Sequence, residues 1–388
     1  MIESADIKRQ PKVLFASRFP PPYNGETLCT QLTFDLLKDS IDSAYFRLNR
    51  NCAVGLAGKF SFSGFLDTTN KIFEIRNWVK KDNYDVLYLV PASSALGHIR
   101  DILLVHAVRR RVRAIIAHIH SGNFQEILKL KALKYFSKNF IDQVDHFIFL
   151  SQYLAARASG IIPDDKIEVI HNPIDEAVKF SQLECLTKLS QKSSVKRFNI
   201  LFISHMIESK GYKDLADALT MLPPEMDWYA HFVGDWGNDR QRQDFEKYIL
   251  NLGVASRTRI YGKITDRLEI KEMYRQADVF VLPTYYPVEA QPRSIIEAMN
   301  AATPVVATRH ASIPDYVKND SNGYLVSIRR PKEIASAIQR LQDPEKWREL
   351  ALAARDTYLH GFSTAAIQEQ LIELFTNSYM HGSDGGTD

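Results

Sequence analysis

Two glutamates, Glu289 and Glu297, stand with seven residues between them in the segment 281–300, VLPTYYPVEAQPRSIIEAMN. Its apolar opening reads as a buried strand and its prolines as a loop. A helix is expected from about Pro292, where a missing N–H does no harm because the first helical donors have no partner anyway. The backbone N–H groups of Arg293 and Ser294 are then without intrahelical acceptors. Such a helix start attracts phosphate, because open donors and the positive end of the helix dipole coincide there. Glu289 lies in the loop and Glu297 in the second turn, so the two carboxylates can reach different parts of one ligand.

A second anion site is expected in 200–215, ILFISHMIESKGYKDL. An apolar strand runs into a loop, and Lys210-Gly211 opens a helix, so an ammonium and main-chain donors can meet a diphosphate. His205 adds a group that is only partly protonated near neutrality. Upstream, 18–27 (RFPPPYNGET) follows the first apolar run and precedes a helix-like stretch. Gly25 there lets the backbone approach a diphosphate or a sugar closely, although prolines and glycine equally make a plain turn. It is no GxGxxG fingerprint, so a nicotinamide cofactor is not indicated. In 117–124 (AHIHSGNF) the alternation of an extended chain puts His118 and His120 on one side, where both can face a ligand. Two histidines without a third ligand argue weakly for zinc. The chain contains no Asp-x-Asp triplet, so no metal site is expected.

The elements that must position these groups alternate as βαβ units. Apolar, β-branched runs occur at 13–16, 43–48, 85–90, 114–119, 146–150 and 167–170. After a polar stretch they resume at 199–204, 228–233, 258–261, 279–282, 304–307 and 324–326. The expectation is an α/β chain of two Rossmann-like, doubly wound domains facing a central cleft, with ligands beyond the carboxyl ends of the strands. Residues 1–180 form the first domain, 181–196 a solvated linker and 197–365 the second domain. A helix over 366–380 packs back on the first domain, and 381–388, apolar-poor, is a disordered tail.

In this combination the chain resembles glycosyltransferase family 4, the retaining GT-B enzymes (glycosyl transferase group 1) marked by two glutamates at this spacing. Residues 301–308 (AATPVVAT) and 320–326 (DSNGYLV) are similar to the family's continuation. The resemblance implies that 1–180 is the acceptor-side and 197–365 the nucleotide-sugar-binding domain, that Glu289 contacts the donor hexose near the reacting carbon and that Glu297 bonds ribose hydroxyls. Gln291, Arg293 and Ser294 share the donor site. The family's loop has Gly-Arg before its Lys-Gly, two cations against the leaving diphosphate; here Ser204-His205 stand in place of Gly-Arg, and one fixed charge is missing or titratable. His120 is the match for a histidine that touches the donor sugar, and Gly262-Lys263-Ile264 for the main chain beside the nucleobase. Asn172-Pro-Ile-Asp175 matches a turn at the end of the first domain. Glu289, His120 and Lys210 are thus the catalytic candidates, and Gly25, Ser204, His205, Ile264, Gln291, Arg293, Ser294 and Glu297 the donor-binding ones.

No pair of carboxylates of the kind a retaining glycosidase uses is evident. The expected chemistry is therefore front-face substitution, catalysed by positioning and by charge stabilisation on the diphosphate, whose oxygen takes the acceptor proton. No cofactor beyond the nucleotide-diphosphate sugar is expected. Lys+Arg 49 against Asp+Glu 46 gives no global field, so nucleic acid is not expected as a partner. Residues 129–138 (KLKALKYFSK) read as a basic amphipathic helix, and Arg109–Arg113 adds cations; either can rest on anionic headgroups or simply be solvated. Family members similar in the proline-rich loop, in 88–91 (YLVP) and at Arg100-Asp101 build capsule, exopolysaccharide or lipopolysaccharide chains, implying a glycan or lipid-linked glycan acceptor. Three distant cysteines, Cys29, Cys52 and Cys185, no signal peptide and no long apolar run suggest a cytoplasmic protein, peripheral at the inner face of the membrane. The rivals are a GT-B sugar-nucleotide 2-epimerase, and a non-catalytic nucleotide-sugar-binding subunit suggested by His205.

Overall fold

The computed structural model describes residues 10–21, 24–49, 62–191 and 197–381. These form two compact units, one running up to Pro173 and resuming at Thr364, the other Ile174–Ser363.

The first unit contains strands β1 (Val13–Ser17), β2 (Ser43–Arg47), β3 (Val86–Leu89), β4 (Ala114–Ile119), β5 (His146–Phe149) and β6 (Ile167–Val169). All pair in parallel, in the order β2-β1-β3-β4-β5-β6. Strands β1, β3 and β4 are buried along their whole length, as expected of unbroken apolar runs covered on both faces. The C-terminal helix Thr364–His381 belongs to this unit: Ile367, Leu371 and Phe375, one turn apart, enter its core. The Phe375 ring stands 6.3 Å from Phe15 and 6.1 Å from Tyr88.

The second unit contains β7 (Phe198–Ile203), β8 (Trp228–Val233), β9 (Thr258–Gly262), β10 (Val279–Leu282), β11 (Val305–Thr308) and β12 (Gly323–Val326). They too are parallel, ordered β12-β11-β10-β7-β8-β9. In each sheet the order reverses once, between β1 and β3 and between β7 and β10. The loops leaving adjacent strands diverge at such a point and open a crevice for a ligand. Each unit is thus a Rossmann-like, doubly wound domain of the GT-B fold.

Two boundaries differ from expectation. The chain leaves the first unit at Pro173, not 180. The stretch read as a linker is largely a helix, Gln182–Gln191, whose Cys185 and Leu189 join the second core. Its polar composition concealed that every third or fourth residue is buried. Of the expected tail 381–388, His381 ends the C-terminal helix, and 382–388 lie outside the described residues, as does Cys52.

Candidate functional site

The reversal point of the second sheet is where the chemistry gathers. Strand β7 ends at Ile203, and a loop leads through a short 3-10 turn, Glu208–Lys210, to Gly211. Gly211 has φ +81°, and a Cβ on it would lie 2.2 Å from the Pro283 carbonyl oxygen, so only glycine lets this loop close against the one that follows β10. Tyr285 N donates to Ser209 O at 2.7 Å and fastens the two loops together. Seventy-nine residues apart in sequence, Lys210 Nζ and Glu289 Oε2 meet at 2.5 Å, with both side chains nearly buried. Thr284 Oγ1 donates to the same carboxylate oxygen at 3.1 Å, and the ammonium sits 4.7 Å from the Tyr286 ring centroid.

The helix Arg293–Asn300 starts where expected, after Pro292, and no side chain caps its N-terminus. The Arg293 Nη1 is buried without a hydrogen-bond partner among the described residues. A buried guanidinium nitrogen of that kind is costly unless an anion joins it. His205 lies in the loop after β7. Its imidazole is pushed below its ordinary pKa, by burial first and then by the Lys210 ammonium; Lys263 and Arg293 add to this and Asp235 opposes it. A mainly neutral ring at pH 7 follows, so the fixed cations acting on this loop are Lys210, Lys263 and Arg293, with Asp235 of opposite charge. Lys263 is shared with Asp235 at 3.2 Å.

Glu297, 4% exposed, is bonded to groups the sequence did not single out. Arg267 Nη2 donates to its Oε1 at 2.7 Å and Tyr274 OH to its Oε2 at 2.9 Å. Burial, then the Glu297 carboxylate, hold the Tyr274 phenol well above its usual pKa, so it stays a donor. Arg267 Nε in turn bonds Asp175 Oδ2 at 3.2 Å. Arg267, Tyr274 and Thr284 carried no local motif; the only hint was that Thr284 stands two residues beyond a buried strand and Arg267 opens a helix. Gln291 is buried, Ser294 and Ser204 are partly so, and Ile264 packs on the core beside the left-handed Gly262 (φ +75°). A Cβ on Gly234 would lie 1.7 Å from Ser204 O, so β7 and β8 end in close main-chain contact.

In the first unit, Gly25 opens the helix Gly25–Leu37, and among the described residues nothing lies within 4 Å of where its Cβ would be. Asn24 caps that helix through Thr27 N at 3.0 Å. His118 and His120 do project to one side of β4, with ring centroids 4.3 Å apart, but His118 is fully buried and bonded to Tyr88 OH at 2.6 Å. The expectation that both face a ligand is corrected: His118 is a core residue, and only His120 is partly exposed. Alternation reports the side of a strand, not its depth.

Two further expectations are revised. Residues 129–138 are not one helix: Phe124–Leu128 ends, a 3-10 turn Lys131–Leu133 follows, and Lys134–Gln143 begins anew. Two of the four arginines in the Arg109–Arg113 cluster are paired, Arg109 with Asp145 at 2.7 Å and Arg113 with Asp85 at 3.6 Å. Cys29 and Cys185 are buried. Among the described residues no group of three or more His, Cys, Asp or Glu is placed to hold a metal ion, and no helix is long and apolar enough to cross a membrane.

Fold and site together define a protein of the GT-B class with a cationic, carboxylate-bearing switch point. Comparison with known proteins then gives the family. The model for glycosyl transferases group 1 matches residues 187–357, and that for glycosyltransferase family 4 matches 35–178. WcaL of Salmonella typhimurium, which carries the name of a colanic acid biosynthesis glycosyltransferase, is 32% identical over 299 residues, 74% of this chain and 69% of that protein. LpsE of Rhizobium meliloti, a lipopolysaccharide core biosynthesis glycosyltransferase, is 26% identical over 46% of this chain and 49% of its own. The chain spans about half the length of several such curated relatives. Anabaena HepE, solved in complex with UDP, superposes with a TM-score of 0.72 at 21% identity, covering 94% of this chain and 100% of that one. The chain belongs to the group 1, family 4 glycosyltransferases.

Proposed function

We propose that this chain is a retaining glycosyltransferase that moves a hexose-type sugar from a nucleotide-diphosphate donor to a glycan or lipid-linked glycan acceptor in surface polysaccharide biosynthesis. The observation that carries this is the buried Lys210–Glu289 pair at the reversal point of the second sheet. Lys210, Arg293 and the uncapped helix start after Pro292 provide positive potential for a leaving diphosphate, where fixed donors act without reorganising. Glu289, with one oxygen occupied by Lys210 and Thr284, keeps acceptor positions for sugar hydroxyls. Its role is to orient the hexose, with substitution on the front face and the acceptor proton passing to a diphosphate oxygen. In the second unit Ser204, His205, Ile264, Gln291, Ser294 and Glu297 complete the donor-binding residues; in the first, His120 is the residue for the donor sugar and Gly25 a donor-binding position. The reaction needs no metal ion. Names of relatives support the substrate class: HepE structures hold UDP and UDP-glucose, and WcaL and LpsE are named for colanic acid and lipopolysaccharide synthesis.

The test is a melting-point screen with uridine- and guanosine-diphosphate sugars, because a ligand bound only by the folded state raises apparent stability. It is followed by transfer assays with and without EDTA. One donor series is expected to stabilise the protein, and transfer is expected to vanish in Glu289→Ala while the fold persists. Donor consumed without acceptor and converted to an epimer overturns the transferase reading in favour of a 2-epimerase, and an unchanged cellular function of Glu289→Ala in favour of a non-catalytic subunit.

A peripheral position at an anionic membrane fits the surface of the first unit. Tyr135 and Phe136 are 80% and 54% exposed beside Leu130, among the exposed Lys129, Lys131, Lys134 and Lys138. Aromatic rings and ammonium groups together suit the headgroup boundary. Sedimentation with phosphatidylglycerol vesicles is expected to capture the protein, and the Tyr135→Ser/Phe136→Ser variant to stay in solution; equal recovery of both in the supernatant refutes this part.

A further inference from the structure

Glu297 does not hold its own direction. Its carboxylate is buried at the second turn of the helix Arg293–Asn300, and each oxygen takes one donor from outside that helix, Arg267 at 2.7 Å and Tyr274 at 2.9 Å. A carboxylate offers about four acceptor positions, so two remain for hydroxyls of a ligand once these donors set its plane. Arg267 is held as well: its Nε reaches Asp175, at 3.2 Å. Asp175 lies two residues beyond Pro173, where the chain leaves the first unit, and its other oxygen accepts Ala177 N at 3.0 Å. The guanidinium is therefore pinned between two carboxylates from different segments, a geometry that a planar fork satisfies and an ammonium does not.

The far end of this helix is held by cations from two other helices, Gln182–Gln191 and Pro344–Gly361. Lys188 Nζ donates to Ala301 O at 3.0 Å and to Tyr274 O at 2.8 Å, and Arg355 Nη1 to Asn300 Oδ1 at 2.7 Å. Cations at a helix C-terminus satisfy its open carbonyls and oppose its negative end. With the C-terminus fixed in this way, what remains adjustable at Glu297 is the torsion of its side chain, and Arg267 with Tyr274 sets that.

We propose that Arg267, braced by Asp175, is a positioning residue that aims Glu297 at the ribose and thereby determines how strongly this protein distinguishes ribose from deoxyribose in its nucleotide. This rests on the reading of Glu297 as the carboxylate that accepts from ribose hydroxyls. Arg267 itself need touch neither base nor sugar. The consequence is a division of effects: loss of Arg267 weakens hydroxyl discrimination and leaves diphosphate recognition, which belongs to Lys210 and Arg293, in place.

The experiment is calorimetric titration of the full chain with UDP, GDP, their 2′-deoxy and 3′-deoxy analogues, and inorganic pyrophosphate. The wild type is expected to prefer one ribonucleotide over its deoxy analogue by about tenfold, the size of one hydrogen bond to a charged group. Glu297→Gln tests the underlying reading and is expected to abolish the preference. Arg267→Ala is expected to reduce it to under about twofold with pyrophosphate affinity within about twofold of wild type, Asp175→Asn to fall between, and Arg267→Lys to recover only part. Retained pyrophosphate binding shows that the variants are folded, and Asp175→Asn, which leaves Arg267 in place, serves if Arg267→Ala is not. If Glu297→Gln loses the preference while Arg267→Ala and Asp175→Asn keep it, the proposal is overturned and the ribose reading stands. If Glu297→Gln keeps the full preference, the ribose reading fails and the proposal with it.

Discussion

Replacing Lys210 by methionine should expose how much the second unit depends on one buried charge pair. The ammonium lies 2.5 Å from Glu289, and the side chains are 11% and 7% exposed. Lys210→Met leaves the carboxylate in the same enclosure with Thr284 Oγ1, at 3.1 Å, as its remaining side-chain donor. Breaking a buried pair from one side costs about 3–5 kcal/mol, because the orphaned charge keeps its desolvation penalty without its partner. For a domain of roughly 150–250 residues each kcal/mol moves the melting temperature by about 2–4 °C, so the second unit should melt roughly 6–20 °C lower. The double variant Lys210→Met/Glu289→Gln removes both charges and should regain more than half of that loss. Circular dichroism melts and urea titrations of the two single variants and the double variant form the cycle. Coupling smaller than about 0.5 kcal/mol, the range of independent sites, would refute the claim that the two groups form one buried unit. All three variants should also lose at least about a hundredfold in transfer rate, since one preorganised charge or donor is worth that much in comparable sites.

Gly211→Ala should destabilise by about 1–3 kcal/mol and depress transfer, because a left-handed φ and a Cβ 2.2 Å from the Pro283 carbonyl oxygen force the two loops apart; a wild-type melting point and rate would contradict the packing. His231 has its pKa lowered to about 4, first by burial and then by Arg259. Since the unfolded ring takes up a proton that the folded ring refuses, its share of stability is full above about pH 6.5 and is lost as pH falls toward 4. Urea midpoints measured across that window should fall less steeply in His231→Gln than in wild type, and identical slopes would exclude His231 as a cause. Phe375→Ala should cost about 3–5 kcal/mol through a cavity between Phe15 and Tyr88, read as a loss of protection of β1 and β3 in hydrogen exchange. Unchanged exchange there would show that the C-terminal helix does not support the first core.

Among the described residues the twelve strands stand within a residue or two of the apolar runs that announced them, and the helix after Pro292 starts where its proline and open donors placed it. Both signals are local: a β-branched run commits its own backbone to an extended form, and a proline selects the first helical turn by its own geometry. The two glutamates, Lys210 and Gly211 were legible for the same reason, as residues whose loop or helix position follows from the immediate neighbours.

What the neighbours could not encode is which groups meet. Arg267 reaches Glu297 across thirty residues and Asp175 across ninety-two, and nothing in their surrounding sequence distinguishes them from surface charges. Depth is equally invisible along the chain, which is why His118 and His120 looked alike and why the helix Gln182–Gln191 looked like a solvated connector. Periodicity states which side of an element a residue occupies; only the packing of distant segments, each burying the other's apolar face, decides whether that side becomes core, site or surface.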